Sequence, residues 1–265
     1  MNFHIGYAWI ASEAFTQGEI PIWTNYFGAG GPYCQFYGFL FFYMTGAVDQ
    51  LFSDLEFSLK FIMGVSHVIS GIGMYLFVRT LLNRQAGFMA AMAYVMCVWH
   101  TQQVLIMGRL PLSVFYALLP FPFYFFERLK ARTLKLGSAM AGGVTLGMLA
   151  FTHPGYAFWA TGLFVLYVCI RIWTDTDRRA TRDVCWHSLL LLTGGLVLGA
   201  YLTLPMWLER ENVRLYKGFD LSGFPDPTLG QLLVWSNYRF RLFSIEANHW
   251  YGGYLGLSLI TLVLK

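Results

Sequence analysis

Residues 1–59, MNFHIGYAWIASEAFTQGEIPIWTNYFGAGGPYCQFYGFLFFYMTGAVDQLFSDLEFSL, hold no Lys or Arg. They lead directly into the apolar run FSLKFIMGVSHVISGIGMYLFVR at 57–79. Basic residues then return in three short loops. The first, 79–85, carries Arg79 and Arg84; the second, 127–135, carries Arg128, Lys130, Arg132 and Lys135; the third, 171–183, carries Arg171, Arg178, Arg179 and Arg182. Short basic loops between apolar spans mark the cytoplasmic side of a polytopic membrane protein, and a region free of Lys and Arg marks the outer side. The distribution therefore predicts an all-α transmembrane bundle whose N-terminal segment lies outside.

A helix needs about 20 apolar residues to cross a bilayer. Six stretches qualify: 57–79, 86–106, 110–126, 136–152, 155–173 and 184–207. The expected layout is one transmembrane domain over 1–265, with an outer loop at 1–56, six spans within 57–207, a second outer loop at 208–250, and a further span beginning at 251–265. The turn at 100–111 and the Pro154 turn fall on the outer side. Both chain ends read as cut, and Leu262–Lys265 stops inside an apolar run, so a fragment of a longer protein is expected.

Composition agrees. Hydrophobic residues make up 57%, aromatics 18% and charged residues 12%, against about 25% charged in soluble proteins. The net charge of +4 comes from span ends and is not a nucleic-acid footprint. Cys34, Cys97, Cys169 and Cys185 show neither paired nor metal-type spacing. Met1 opens an amphipathic stretch rather than a basic segment followed by an apolar core, so no cleavable signal peptide is expected.

Within the outer region, Phe3, Tyr7, Ile10 and Ala14 recur at helical spacing over residues 2–17. This reads as a surface helix, ended by Gly18. An irregular loop, GEIPIWTNYFGAGGPY, follows. Residues 36–53 are apolar enough for a short span, but a crossing there would turn the Lys/Arg-free loop inward. They read as a second juxtamembrane helix, a true span being the alternative. Pro111, Pro120 and Pro122 in one span predict a kinked helix whose freed backbone groups need partners. Glycines at 137, 142, 143 and 147 predict close helix packing.

GEIPIWTNYFGAGGP, the aromatic helix after it, GMYLFVRTLLNRQAGFMAAMAYVM, IMGRLP and FTHPGYAF together resemble the C-type integral-membrane glycosyltransferases (GT-C). Within that superfamily the chain is most similar to the uncharacterised YfhO-like and 6-pyruvoyl-tetrahydropterin synthase-related bacterial membrane proteins. The arrangement also parallels the catalytic subunit of oligosaccharyltransferase. The resemblance implies transfer of a sugar from a polyprenyl-phosphate donor to an acceptor on the outer face of a bacterial or archaeal plasma membrane. It implies as partners a polyprenyl-phosphate-linked sugar and membrane lipids, and it leaves a divalent metal, the sugar, the acceptor and the oligomeric state open. The family's catalytic carboxylate would fall at or before Met1, so Glu13 and Glu19 are the nearest remaining candidates. Each also reads simply as a solvated charge.

Arg109 stands alone as the basic residue in the outer turn at 100–111, where the family often has an acid. A guanidinium there can hold a lipid phosphate by paired charge-assisted hydrogen bonds, or can simply anchor to headgroups. His153 ends a span before a Pro-Gly turn, and a membrane-adjacent His is a site candidate, although a His capping a helix end is as common. His4 lies beside the presumed catalytic position. Trp23 and Tyr33 could provide sugar-binding platforms. Arg109, His153 and the segment from His4 to Trp23 are therefore expected to share one outward-facing pocket. Asp175 and Asp177 form a D-x-D among arginines and read as paired with them. The alternative to an enzyme is a non-catalytic polytopic protein: a transporter, a lipid-handling protein or a degenerate GT-C scaffold. The near absence of charge at the span centres argues against an ion-coupled transporter.

Overall fold

The structure, a computed structural model, describes residues 2–26, 30–130, 135–174 and 178–212. Met1–Glu209 form one compact unit, and the described residues beyond it, Arg210–Asn212, form a single 3-10 turn. The predicted outer loop at 208–250 and the further span at 251–265 lie otherwise outside the described residues.

The described chain is predominantly helical. Three helices are long and apolar enough to cross a membrane: α3 (Leu55–Leu81), α9 (Pro154–Trp173) and the Arg182–Leu208 part of α10 (Arg178–Leu208). The others are α1 (Asn2–Thr16), α2 (Leu40–Phe52), α4 (Arg84–Val95), α5 (Val98–Thr101), α6 (Pro111–Leu118), α7 (Pro120–Lys130) and α8 (Lys135–Thr152). Their boundaries follow local chemistry. The Asp54 side chain accepts from Phe57 N at 2.9 Å to start α3, and Asn83 does the same for Ala86 N at 2.9 Å to start α4. Gly18, at φ 75°, lets Glu19 N reach Ala14 O at 2.8 Å and closes α1 with a Schellman turn.

Side-chain neighbours give the direction of each pass. Val95 meets Gly71 and His100 meets His67, so α4 and α5 run back along α3. Phe121 fills the gap at Gly73 and Phe123 meets Phe77, so α6 and α7 descend beside α3. Phe125 faces Gly142 of the ascending α8. Phe164, Tyr167 and Arg171 of the descending α9 meet Phe123, Phe126 and Glu127 of α7. Leu191 and Leu198 of α10 meet Gly142 and Gly147, so α10 ascends parallel to α8. The described residues thus pass six times between two ends.

The basic turns share one end. Lys130 donates to Arg171 O at 3.4 Å, Lys135 pairs with Asp183, and Phe77, near the end of α3, touches Tyr167 at 5.9 Å. The core holds Phe126, Leu129, Phe164 and Leu191, all 1% exposed or less. The outer surface carries Val68, Trp159 and Val197 at 62–75% exposure. Large apolar groups on the outside of apolar helices suit a lipid solvent. In lipid, helices are held by close van der Waals packing rather than by hydrophobic burial.

Several expectations change. The stretch 86–106 is not one α-helix: α4 stops at Val95, and a π-turn at Gln102–Ile106 follows α5. His100, Gln102 and Gln103 there are 3–5% exposed. The stretch 110–126 is two helices joined at Leu119, because Pro120 and Pro122 have no N–H for the ladder; the second helix continues to Lys130. The outer turn at 100–111 shrinks to 107–110. The loop after Gly18 contains a two-residue antiparallel pair, Trp23–Thr24 with Gly31–Pro32.

The buried stripe of α1 is Ala8, Ile10, Ala11 and Ser12, while Phe3 is 70% exposed. Small residues won over large ones because α2 crosses α1 closely, where a Cβ on Gly46 would sit 2.9 Å from Ala11 C. α2 itself has 13 residues, about 20 Å at 1.5 Å per residue, which is short of a roughly 30 Å core.

Candidate functional site

At the end opposite the basic turns, four chain segments meet. The link is Gly38. A Cβ there would overlap Thr152 O, so only glycine lets the segment before α2 press onto the last turn of α8. That contact sets Tyr37 beside His153, with ring centroids 5.5 Å apart and nearly edge-on. His153 is the N-cap of α9, accepting from Tyr156 N at 3.4 Å, with Pro154 pre-set for the first helical turn. Its ring lies 4.7 Å from that of Tyr156. From α1, His4 Nε2 is 3.1 Å from Tyr37 Oη.

Arg109 enters from the turn after the π-turn. Met107 N bonds Gln102 O, Arg109 N bonds Gln103 O, and Gly108 takes φ 66°. This wide backbone curl turns the guanidinium inward. One Arg109 nitrogen donates to Tyr156 Oη at 2.8 Å and to Gln103 Oε1 at 3.0 Å. The result is a half-buried cluster of one cation, two imidazoles and two phenols.

Electrostatics follow from that crowding. Burial, then the Arg109 charge, push His153 down to about 4, with His4 adding to the effect. Burial also lowers His4, partly offset by the Gly108 backbone beside it. Burial raises Tyr37 to about 12 against the pull of Arg109. At neutral pH both imidazoles are uncharged and Arg109 carries the positive charge. Chemically, a guanidinium with neutral imidazoles and phenols around it can bind an oxyanion. An uncharged imidazole can also take a proton from a hydroxyl.

Of the residues singled out from sequence, the structure brings together Arg109, His153 and His4. It does not bring in Trp23, which is 57% exposed and whose hydrogen bond goes to Asn25 Oδ1 at 3.0 Å. Tyr33 is 6% exposed, and its hydroxyl donates to Tyr7 O at 2.6 Å inside the α1–α2 packing. Glu13 is exposed and accepts from Gln17, just past the end of its own helix. It lies nine positions past His4, about 14 Å along the helix. Glu19 is exposed in the loop beyond. Met1, Asp175 and Asp177 lie outside the described residues. Among the described residues, no three His, Cys, Asp or Glu side chains group as metal ligands.

Sequence reasoning missed the residues that hold the cluster together. Tyr37, Gln103 and Tyr156 sit in segments read as helix, turn or apolar span. For two of them the signal was a polar side chain within a few positions of a chosen residue: Gln103, six before Arg109, and Tyr156, three after His153. It also missed Glu127, 5% exposed, which takes a two-point contact from Arg171 at 2.9 Å on each arm and a bond from Tyr167 Oη at 2.7 Å. Asp49 of α2 accepts from Ser12 Oγ of α1. No family model, curated protein or solved structure matches the chain.

Proposed function

We propose that this chain forms the membrane-embedded core of a GT-C-like glycosyltransferase. In this reading it holds a polyprenyl-phosphate-linked sugar at the outer face of a bacterial or archaeal plasma membrane. The observation that carries the reading is the convergence of Arg109, His4, His153, Tyr37 and Tyr156 at the end of the bundle remote from the basic turns. In this reading all six passes cross the bilayer. Arg109 binds the phosphate, and the phenols orient its oxygens. The isoprenoid tail lies along the apolar outer surface of the bundle.

The binding half of the reading is tested by titrating purified full-length chain with undecaprenyl phosphate in detergent. Arg109→Ala should weaken binding by about 2–5 kcal/mol, the range for removing one partner of a desolvated charge pair. Equal affinity of the variant and the parent would overturn the site.

A second reading, a lipid-phosphate-binding scaffold without transfer, is favoured by one observation. Glu13 and Asp49 bond to Gln17 and Ser12 rather than to the cluster. Tight binding of the lipid phosphate with no sugar transfer from any polyprenyl-phosphate sugar would select that reading.

A further inference from the structure

We propose that the Trp23 hairpin and the outward stripe of α1 form a wedge seated among the headgroups of the bilayer the bundle spans. Trp23 then anchors the protein to lipid and is not a sugar platform.

The described arms of the hairpin are held by specific contacts. Tyr43 Oη donates to Pro21 O at 2.8 Å, Tyr33 N bonds Ile22 O at 2.9 Å, and the Tyr26 ring meets Trp9 of α1 edge-on at 4.9 Å. Its inward side chains, Pro21, Thr24 and Tyr33, are buried. Its outward ones are not: Ile20 is 68%, Ile22 71%, Trp23 57% and Tyr26 63% exposed. On α1 the outward positions at i, i+4 spacing are Ile5 and Trp9, then Glu13, so the stripe turns polar only toward the helix end. An ordered element that shows its apolar side outward marks an interaction surface.

Two observations choose lipid as the occupant. First, the wedge is tied through α2 to α3, an apolar helix long enough to span, and the two join at a single Ser53–Asp54 corner. Leu51 and Phe52 at that corner are exposed, and the Phe52 ring meets Phe57 of α3 edge-on at 4.9 Å between centroids. The apolar surface of α3 therefore continues onto the outer helices. Second, the composition is that of an interfacial belt: Trp, Tyr and Ile, with Glu13 and Glu19 as the only carboxylates and no Lys or Arg. Affinity then comes from apolar and aromatic insertion and not from attraction to anionic lipid.

The test uses full-length protein in phosphatidylcholine vesicles. Cys97, Cys169 and Cys185 are replaced by alanine, and the buried Cys34 is kept. An environment-sensitive dye is attached at Ile22→Cys, Trp23→Cys or Glu19→Cys. Dyes at 22 and 23 should be quenched by headgroup-proximal spin-labelled lipid at least about threefold more than the dye at 19, and should be shielded from iodide. Adding phosphatidylglycerol should leave this unchanged. Free quenching by iodide at 22 and 23 would overturn the proposal. So would stronger quenching by a spin label at the bilayer centre, or insensitivity to both quenchers, which would mean a protein partner covers the patch.

Discussion

His153 joins three roles in one side chain: it caps α9, packs edge-on against Tyr37 and Tyr156, and sits in the field of Arg109. Its proton affinity is pushed down to about 4, so the folded state binds fewer protons than the unfolded one once the pH falls below the ordinary value of 6.5. Stability is therefore unaffected above that value, falls as pH drops through it, and reaches its full loss near pH 4. His153→Asn keeps a good capping side chain and removes the titration. Melting of the variant in detergent should depend less on pH between 7.5 and 5 than melting of the parent; parallel curves would show that His153 is not the sensitive group. Glu127 and Arg171 give a second residue-scale contrast. The carboxylate is 5% exposed but the guanidinium side chain is 35% exposed, so an orphaned Arg171 can reach water and an orphaned Glu127 cannot. Arg171→Leu should cost more than Glu127→Gln, with roughly 3–5 kcal/mol as the ceiling for a broken buried pair. Urea titration in micelles measures the order, and the reverse order would contradict it.

Among the elements, the tightest pairing is α8 with α10. A Cβ on Gly147 would lie 2.7 Å from Leu198 Cβ and 2.9 Å from Gly195 O, and one on Gly143 3.0 Å from Leu191 O. Backbone cannot yield as a flexible side-chain tip can, so Gly147→Ala should destabilise by about 1–3 kcal/mol, the usual range for overpacking. Gly162, on α9, has open space around a new Cβ, and Gly162→Ala should be neutral or slightly stabilising. Equal melting of the two variants would remove the close-packing argument. The glycine spacing announced this contact, and three of the four expected positions, 142, 143 and 147, make it; Gly137 meets nothing. What spacing could not announce was the partner, since a small-residue stripe says that something comes close but not which helix. The π-turn at Gln102–Ile106 was illegible for a similar reason. Its side chains fit an apolar run, and only the packing of His100 beneath Tyr116, at 4.2 Å between ring centroids, reveals a backbone re-aimed to present Arg109.

For the molecule as a whole, the Lys and Arg pattern carried most of what was readable. Arg79, Arg128, Lys130 and Arg171 mark turns that the neighbours of Phe77, Glu127 and Lys130 place at one end of the bundle. Arg109 comes from the other. Pattern alone could separate the two ends because like charges cluster on one side of a membrane whichever helices touch. It could not assemble the site, because Tyr37, Arg109 and Tyr156 lie 47–119 residues apart in the chain and meet only through Gly38 on Thr152 and the curl at Gly108. Nor could it place Trp23, whose exposure depends on which side of a short hairpin packs inward. The arrangement of ends leads to a topology test. In intact cells, a membrane-impermeant thiol reagent should modify Glu19→Cys, just before the hairpin, and spare Asn83→Cys and Thr174→Cys at the basic turns. All three positions are exposed, so accessibility of the folded surface does not bias the comparison and only the bilayer separates them. Permeabilising the cells should expose 83 and 174. Labelling at 83 before permeabilisation would invert the orientation and place the Arg109 cluster on the inner face, where the proposed outer-face sugar transfer would fail.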